Sequence, residues 1–513
     1  MRTHRKVSHV RLELTQVIVF AGLCTIGLVV QGQANDSRIG ERTVLHIKTS
    51  LNAGSVDSFG LSPDGKSLLV RTTDHAIQLW DLSGGLLKAT IGGFKRSPRF
   101  SWGPDGGRFF TGDRDDGPTI WDGRTGARIF ELSGAGSALT SEPYSSWMNS
   151  FGQSGSWSPD GSWLVTKHSG KTIAVWNTRA GTLQCRITAP AGSVVRWSPD
   201  NNALMILKED NGLKAQWLMR QKSEIQIWDV AGARQESTIR TEGLLSKVIF
   251  TPDGKHILTA GGWVPELWDA ATGELHARLK SPSCQFKSYR VTCGEQYAEL
   301  SPDGRLVAVH SYYSPQIDIW EVASGKPLAA IDTGKGNESS CKGFSPDGKL
   351  LAIYQEHFKS TWSFKTESGI ALYDTNNGQL KTTLTGSNMM WSAHQLVWSH
   401  DGQTLATAGG SKGYEGKIWD LNTGRLISTL QLIAKEGHVP FTATYFNDLD
   451  RLSFHPSRPV LIGDSVKFIK FWNATSGDLL QTITKSASRW SNDGQFLVTT
   501  PADKQTLQVW ELN

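Results

Sequence analysis

Cysteine is scarce in this chain: five in 513 residues, with no two in a Cys-Xaa-Xaa-Cys spacing. A structural zinc centre or a thioredoxin-like redox pair therefore has nothing to stand on. The 13 histidines are scattered and show no metal-ligand spacing. No Gly-Xaa-Ser-Xaa-Gly elbow appears in a triad context, and no glycine-rich loop is placed to cradle a phosphate. The stretch Gly409-Gly410-Ser411-Lys412-Gly413 reads as a connection between strands. These absences leave no cofactor, no metal and no catalytic residue to nominate.

Net charge is also low. The formal charge is +5, of which the first 34 residues contribute +3 through Arg2, Arg5, Lys6 and Arg11 against Glu13. The remaining +2 gives no electrostatic argument for nucleic acid. Long apolar runs are missing except for one, Val17 to Val30, of about 14 residues. That is short of the roughly 20 needed to span a bilayer. It follows a basic start and precedes Gly32-Gln33-Ala34, small residues at the −3 and −1 positions of a cleavage site before Asn35. Residues 1–34 therefore read as an export signal and 35–41 as a polar linker. An uncleaved membrane anchor and a mis-assigned start codon are the competing readings. Cys24 follows Leu23, a poor match to a lipoprotein site. In an exported chain Cys284 and Cys293, close together in one connection, could pair as a disulfide, with buried or unpaired thiols as the alternative.

What the chain has in abundance is tryptophan, 20 residues, and glycine, 53. Leu61-Ser62-Pro63-Asp64-Gly65, followed by Ile77-Gln78-Leu79-Trp80-Asp81, sets a unit that the rest restates. The turn recurs at Gly103, Ser158, Ser198, Thr251, Ser301, Ser345, Ser399, His455 and Ser491. The answering aromatic recurs at Trp121, Trp176, Trp228, Trp268, Trp320, Tyr373, Trp419, Trp472 and Trp510. Ten copies at a period of roughly 40 to 55 residues indicate a propeller or solenoid.

Each unit predicts four strands. The first ends in a bulky residue before the turn, such as Trp102, Trp157 or Phe250. In the turn Pro presets φ, Asp bonds its own backbone and Gly accepts positive φ. The second strand is a short apolar run, such as Leu68-Leu69-Val70, suited to burial on both faces. The third alternates (Ile77/Leu79, Ile225/Ile227, Ile317/Ile319), and period two excludes a helix. A second hairpin turn, such as Asp122 to Gly126, leads to the fourth. Four short antiparallel strands make a blade, which must pack on neighbours to bury both faces. The repeated Trp is then inter-blade packing, worth at most about 4–6 kcal/mol each before entropy.

The Trp-Asp endings, Ser-Pro-Asp-Gly turns and Thr-Gly or Ser-Gly hairpins over residues 42–513 resemble the WD-repeat β-propeller family. Exported, Tol-type propellers also use Pro-Asp-Gly turns. The family's Gly-His dipeptide occurs only at Gly437-His438, within a long insert. Its Asp, six residues before the Trp, is matched only at Asp74 and Asp115. The hydrogen-bonded tetrad that the resemblance implies is therefore mostly absent, and apolar packing has to carry more of the fold.

The tenth unit stops at Asn513 after its third strand, while Arg42 to Leu51 reads as a strand without a sequence neighbour. The simplest closure has this N-terminal strand complete the last blade. The expected architecture is all-β, one closed ring of ten blades. Two joined propellers, or a smaller ring with miscounted repeats, are the alternatives.

Both turns of a unit fall on one face of such a disc. The long inserts all fall on the other: Gly134 to Gly155, Glu209 to Ser223, Ser281 to Gln296, Gln355 to Gly369 and Ile433 to Asp450. They carry large side chains. Tyr144, Trp147 and Phe151 lie in the first, Trp217 in the second, and Phe286 and Tyr289 in the third. Phe358, Trp362 and Phe364 lie in the fourth, and Phe441 and Tyr445 in the fifth. Aromatic residues on loops of a rigid scaffold suit a partner surface. A lid packed over the disc is the structural alternative. The expected function is a monomeric, exported, non-catalytic scaffold for a protein or peptide, meeting a membrane only if the N-terminal segment is uncleaved. An exported propeller enzyme or carbohydrate binder, with its site at the central channel mouth, is the second reading.

Overall fold

The computed structural model describes residues 45–512 except 113–116, 134–154, 169–171, 190–192, 210–221, 243–244, 262–263, 282–285, 288–289, 292–295, 312–313, 335–336, 359–365, 388–392, 410–414, 433–450, 466 and 502–504. Among the described residues every regular element is a strand. Ten four-stranded antiparallel sheets form, plus one two-stranded hairpin. Blades 1 to 9 occupy residues 56–91, 99–131, 155–188, 194–242, 247–278, 296–332, 337–387, 393–431 and 451–484. Blade 10 combines residues 487–512 with the strand Leu45–Asn52.

The turn chemistry inferred from sequence is visible atom by atom. The Ser62 hydroxyl donates to Asp64 Oδ1 (2.6 Å). It also accepts the Ser67 N–H (2.9 Å), while Asp64 Oδ1 accepts the Lys66 N–H (3.1 Å). The same Ser/Thr-to-Asp bond closes the turn at residues 158, 198, 251, 301, 345, 399 and 491. Two turns depart from it. Gly103 has no hydroxyl, and His455 reaches across the seam so that its Nε2 lies 3.0 Å from the Gly494 carbonyl oxygen.

The seams show why the second strands read as unbroken apolar runs. Leu68 and Val70 pack with Val498, Leu507 and Val509 of blade 10, whereas Leu69 packs with Phe100 and Phe109 of blade 2. Successive side chains point to opposite faces, so a strand wedged between two blades must be apolar at every position. Ten such clusters follow one another, each shared by two neighbouring blades, and the last returns to the first. The blades therefore form one closed ring of ten.

Closure is made by the N-terminal strand, as the sequence predicts. Leu45 pairs with Leu512, Ile47 with Trp510 and Ser50 with Gln508. Gln481 of blade 9 then grips this strand from its side. Its Oε1 accepts the Leu45 N–H and its Nε2 donates to the Leu45 carbonyl oxygen, both at 2.9 Å. The pairing covers an edge that would otherwise be an open template for another chain.

Of the third-strand tryptophans, Trp80, Trp176, Trp268, Trp320, Trp419 and Trp472 are buried in the seams, Trp176 and Trp419 almost completely, while Trp121, Trp228 and Trp510 are half-buried. The expectation that apolar packing does most of the work needs one refinement. Six indole N–H groups still donate a hydrogen bond inside their own blade. Thr111, Thr166, Thr259 and Thr499 on second strands accept from Trp121, Trp176, Trp268 and Trp510. Gln78 and Gln226, two positions before the ring, accept from Trp80 and Trp228. A second set of tryptophans ties the first strands together: Trp102 donates to the Gly60 carbonyl oxygen, Trp157 to the Ser101 hydroxyl and Trp197 to the Ser156 carbonyl oxygen. These contacts between neighbouring first strands place those strands innermost in the ring.

Candidate functional site: the insertion face

Antiparallel pairing fixes which connections share a face. Ser67, just after the first turn, pairs with Asp81, just before the second. The Leu82 N–H donates to the Lys66 carbonyl oxygen, which ties the two turns together (2.9 Å). Both turns of every blade therefore lie at one end of the strands. The strands leading into and out of all five long inserts end at the other.

The turn face is tightly fitted. Gly477 has φ +78°, and a Cβ there would lie 2.0 Å from Ser428 Cβ of blade 8. Gly85 of blade 1 similarly rests on Thr49 of the closing strand. Each second turn sits on the fourth strand of the preceding blade, leaving no room for elaboration.

The opposite face is uneven because two blades rise above it. In blade 7 the middle strands run Leu350–Phe358 and Thr366–Asp374, nine residues each, against five in Arg108–Gly112 of blade 2. Four extra residues extend a strand by roughly 13 Å. In blade 4 the third and fourth strands run Lys222–Asp229 and Arg234–Glu242. Between them, in the connection from blade 5 to blade 6, Phe286–Lys287 and Arg290–Val291 pair as a short hairpin.

This corrects the extent of two inserts. Gln355 to Phe358 pair with Thr366 to Gly369, leaving 359–365 as the connection. Glu209 pairs with Ser223, leaving 210–221. The apolar alternation that marks the lower part of these strands gives way to polar residues such as Gln355-Glu356-His357 and Thr366-Glu367-Ser368, so the sequence there reads as loop. Phe358 accordingly sits at the end of a strand, and Phe286 in the hairpin. Tyr144, Trp147, Phe151, Trp217, Tyr289, Trp362, Phe364, Phe441 and Tyr445 lie outside the described residues, as do Cys284 and Cys293.

Near the hairpin the seam of blades 5 and 6 holds a buried acid that the sequence reading did not single out. Asp318 is 2% exposed. Gln316 Nε2 donates to its Oδ1 (2.6 Å), and its Oδ2 has no hydrogen-bond partner. Burial pushes this carboxyl above the usual range, against the opposing hydrogen bonds from Ser281 and Gln316. The available signal was an acid in the apolar alternation Ile317-Asp318-Ile319. Among the described residues no group of three or more His, Cys, Asp or Glu could hold a metal ion.

No protein-family model matches the chain. Among curated proteins it is similar to apoptotic protease-activating factor 1 of Rattus norvegicus, 23% identical over 361 residues, 63% of this chain and 26% of that protein. It is also similar to COMPASS component SWD3 of Saccharomyces cerevisiae, 30% identical over 158 residues, 31% of this chain and 42% of that protein. The chain thus spans about a quarter and under half of these two relatives. Among solved structures, a crystal structure of the eukaryotic initiation factor shares the fold with a TM-score of 0.51 and 13% identity, over 79% of this chain and 93% of that one.

Proposed function

The chain is a WD-repeat β-propeller, and from that premise we propose that it is a non-catalytic scaffold holding a protein or peptide partner on its insertion face. The observation that carries this reading is the segregation of the two ends of the blades. Repeated short turns occupy one end, and every long excursion leaves from the other. Loops on a rigid frame can vary without disturbing the seams, which is where recognition surfaces arise. The raised blades 4 and 7, with the hairpin between them, would give such a partner two walls and a floor. The yeast relative is by its name a component, which agrees with a role in an assembly.

The test is partner capture with the chain lacking residues 360–364. Capture is expected to fall while the thermal transition stays in place. Undiminished capture by versions lacking each of the five inserts in turn would sink the proposal. The basic start and apolar run of residues 1–34 support an exported site of action. Sequencing the N-terminus of the mature protein checks this, with Asn35 the expected first residue.

A further inference from the structure

The innermost strands carry an unbalanced charge. On each, the bulky residue before the turn and the residue two earlier are packed in a seam, as Phe59, Phe100, Val195 and Val248 show. The intervening positions point the other way, toward the next blade and the central opening. One and three residues before that bulky residue stand Arg99, Arg196, Arg451, Arg489 and Lys247, against one carboxylate at those two positions among the described residues, Glu299. Lys247 Nζ takes that carboxylate at 2.8 Å. The four arginines are left without one. Arg489 donates to the Ser488 carbonyl oxygen (3.1 Å), and among the described residues Arg99, Arg196 and Arg451 pair with no acid. Arg196 is half-buried, and burial depresses its pKa.

On the outer strands several arginines do meet a carboxylate, as Arg278 with Glu266 and Arg240 with Glu224. An arginine fork offers paired donors that fit a carboxylate bidentately. Arg451, Arg489 and Arg99 belong to blades 9, 10 and 2, and Arg196 to blade 4, at two depths along the strand. A single small anion cannot meet all of them. An extended chain bearing several carboxylates can.

We propose that the central opening receives an acidic peptide segment, read by Arg99, Arg196, Arg451 and Arg489. This deepens the scaffold reading and rests on it: the insertion face holds the partner's body while the ring takes an Asp/Glu-rich stretch of the same partner.

The experiment uses the full chain and labelled poly-L-glutamate, with fluorescence anisotropy at 50 to 300 mM salt, a range in which exposed charge pairs are progressively screened. Wild type is expected to bind, with affinity falling steeply as salt rises. Joint replacement Arg99→Gln, Arg196→Gln, Arg451→Gln and Arg489→Gln is expected to weaken binding at least tenfold. The outer-rim pair Arg234→Gln and Arg278→Gln should leave it unchanged. Thermal melts confirm folding, and the four Arg→Lys replacements should restore part of the affinity. Absence of poly-L-glutamate binding by wild type, equal binding by the folded quadruple variant, or preference for oligo-dT over poly-L-glutamate would each overturn the proposal. The chain lacking residues 360–364 should still bind poly-L-glutamate, so failure at the centre and failure at the insertion face are told apart.

Discussion

The two faces of the ring are built from the ends of the same strands, yet they obey different constraints. At the turn end, hydroxyl, carboxylate and backbone close the same small circuit in eight blades, and each second turn lies against the neighbouring blade's outer strand. At the other end the connections differ in length from blade to blade. Strands there stop at five residues or run to nine. The difference teaches that a closed ring needs only its seams and one set of turns to be specified. The remaining end is available to vary.

The comparison predicts opposite fates for the same side chain at the two kinds of site. Trp176 is fully buried between blades 2 and 3, and its indole N–H donates to Thr166 Oγ1 at 2.7 Å. Trp176→Ala should cost about 3–5 kcal/mol of stability, measured by equilibrium denaturation. Trp362→Ala, in an insert, should leave the denaturation midpoint in place and lower partner capture. A loss of stability at Trp362 matching that at Trp176 would mean the insert packs as a lid, and the distinction between the faces would fail there.

A smaller effect separates tight fit on the turn side from backbone strain alone at the opposite end of the strands. Gly477 and Gly54 both have positive φ, +78° and +74°, but a Cβ at Gly477 would strike Ser428 while one at Gly54 meets nothing within 4 Å. Gly54→Ala carries the strain alone, about 1 kcal/mol. Gly477→Ala adds the collision and should cost about 2–3 kcal/mol. Equal losses in urea titrations would show that the second turns can shift off their neighbours, and that the turn face is looser than its contacts imply.

Much of this was legible in the chain because it repeats. Pro-Asp-Gly, the apolar runs and the Trp at the end of an alternating strand each have one physical reading, and ten copies in phase fixed the blade count and the closing strand from Leu45. What escaped the reading depends on contacts between units rather than on pattern within one. The inner ladder Trp102, Trp157 and Trp197 needs the neighbouring blade to become visible. So does the arginine wall, because a lone Arg at an alternating position looks like any solvated charge. The rise of blades 4 and 7 escaped because the apolar alternation in the sequence ends before these strands do.

A pH titration tests whether polar groups also tune a seam. In blade 3 the Trp176 indole donates to Thr166 Oγ1, which shares a hydrogen bond of 2.7 Å with His168 Nε2, its direction following the histidine tautomer. His168 Nδ1 has no partner. Burial, with a smaller push from Arg186, lowers its pKa from 6.5 to about 4. Protonation would place a charge in this buried site beside Arg186. Because the folded pKa lies below the unfolded one, the unfolded chain binds the extra proton first. The histidine does not affect stability above about pH 6.5. Stability then falls as pH drops from 6.5 toward 4, by at most about 1.4 kcal/mol per pH unit, and levels off below. His168→Gln supplies an acceptor in place of Nε2 and does not titrate. Denaturation midpoints of wild type and this variant should therefore converge or cross between pH 7.5 and 4.5. Parallel curves would show that the chain from Trp176 to His168 carries no charge-sensitive part of the seam.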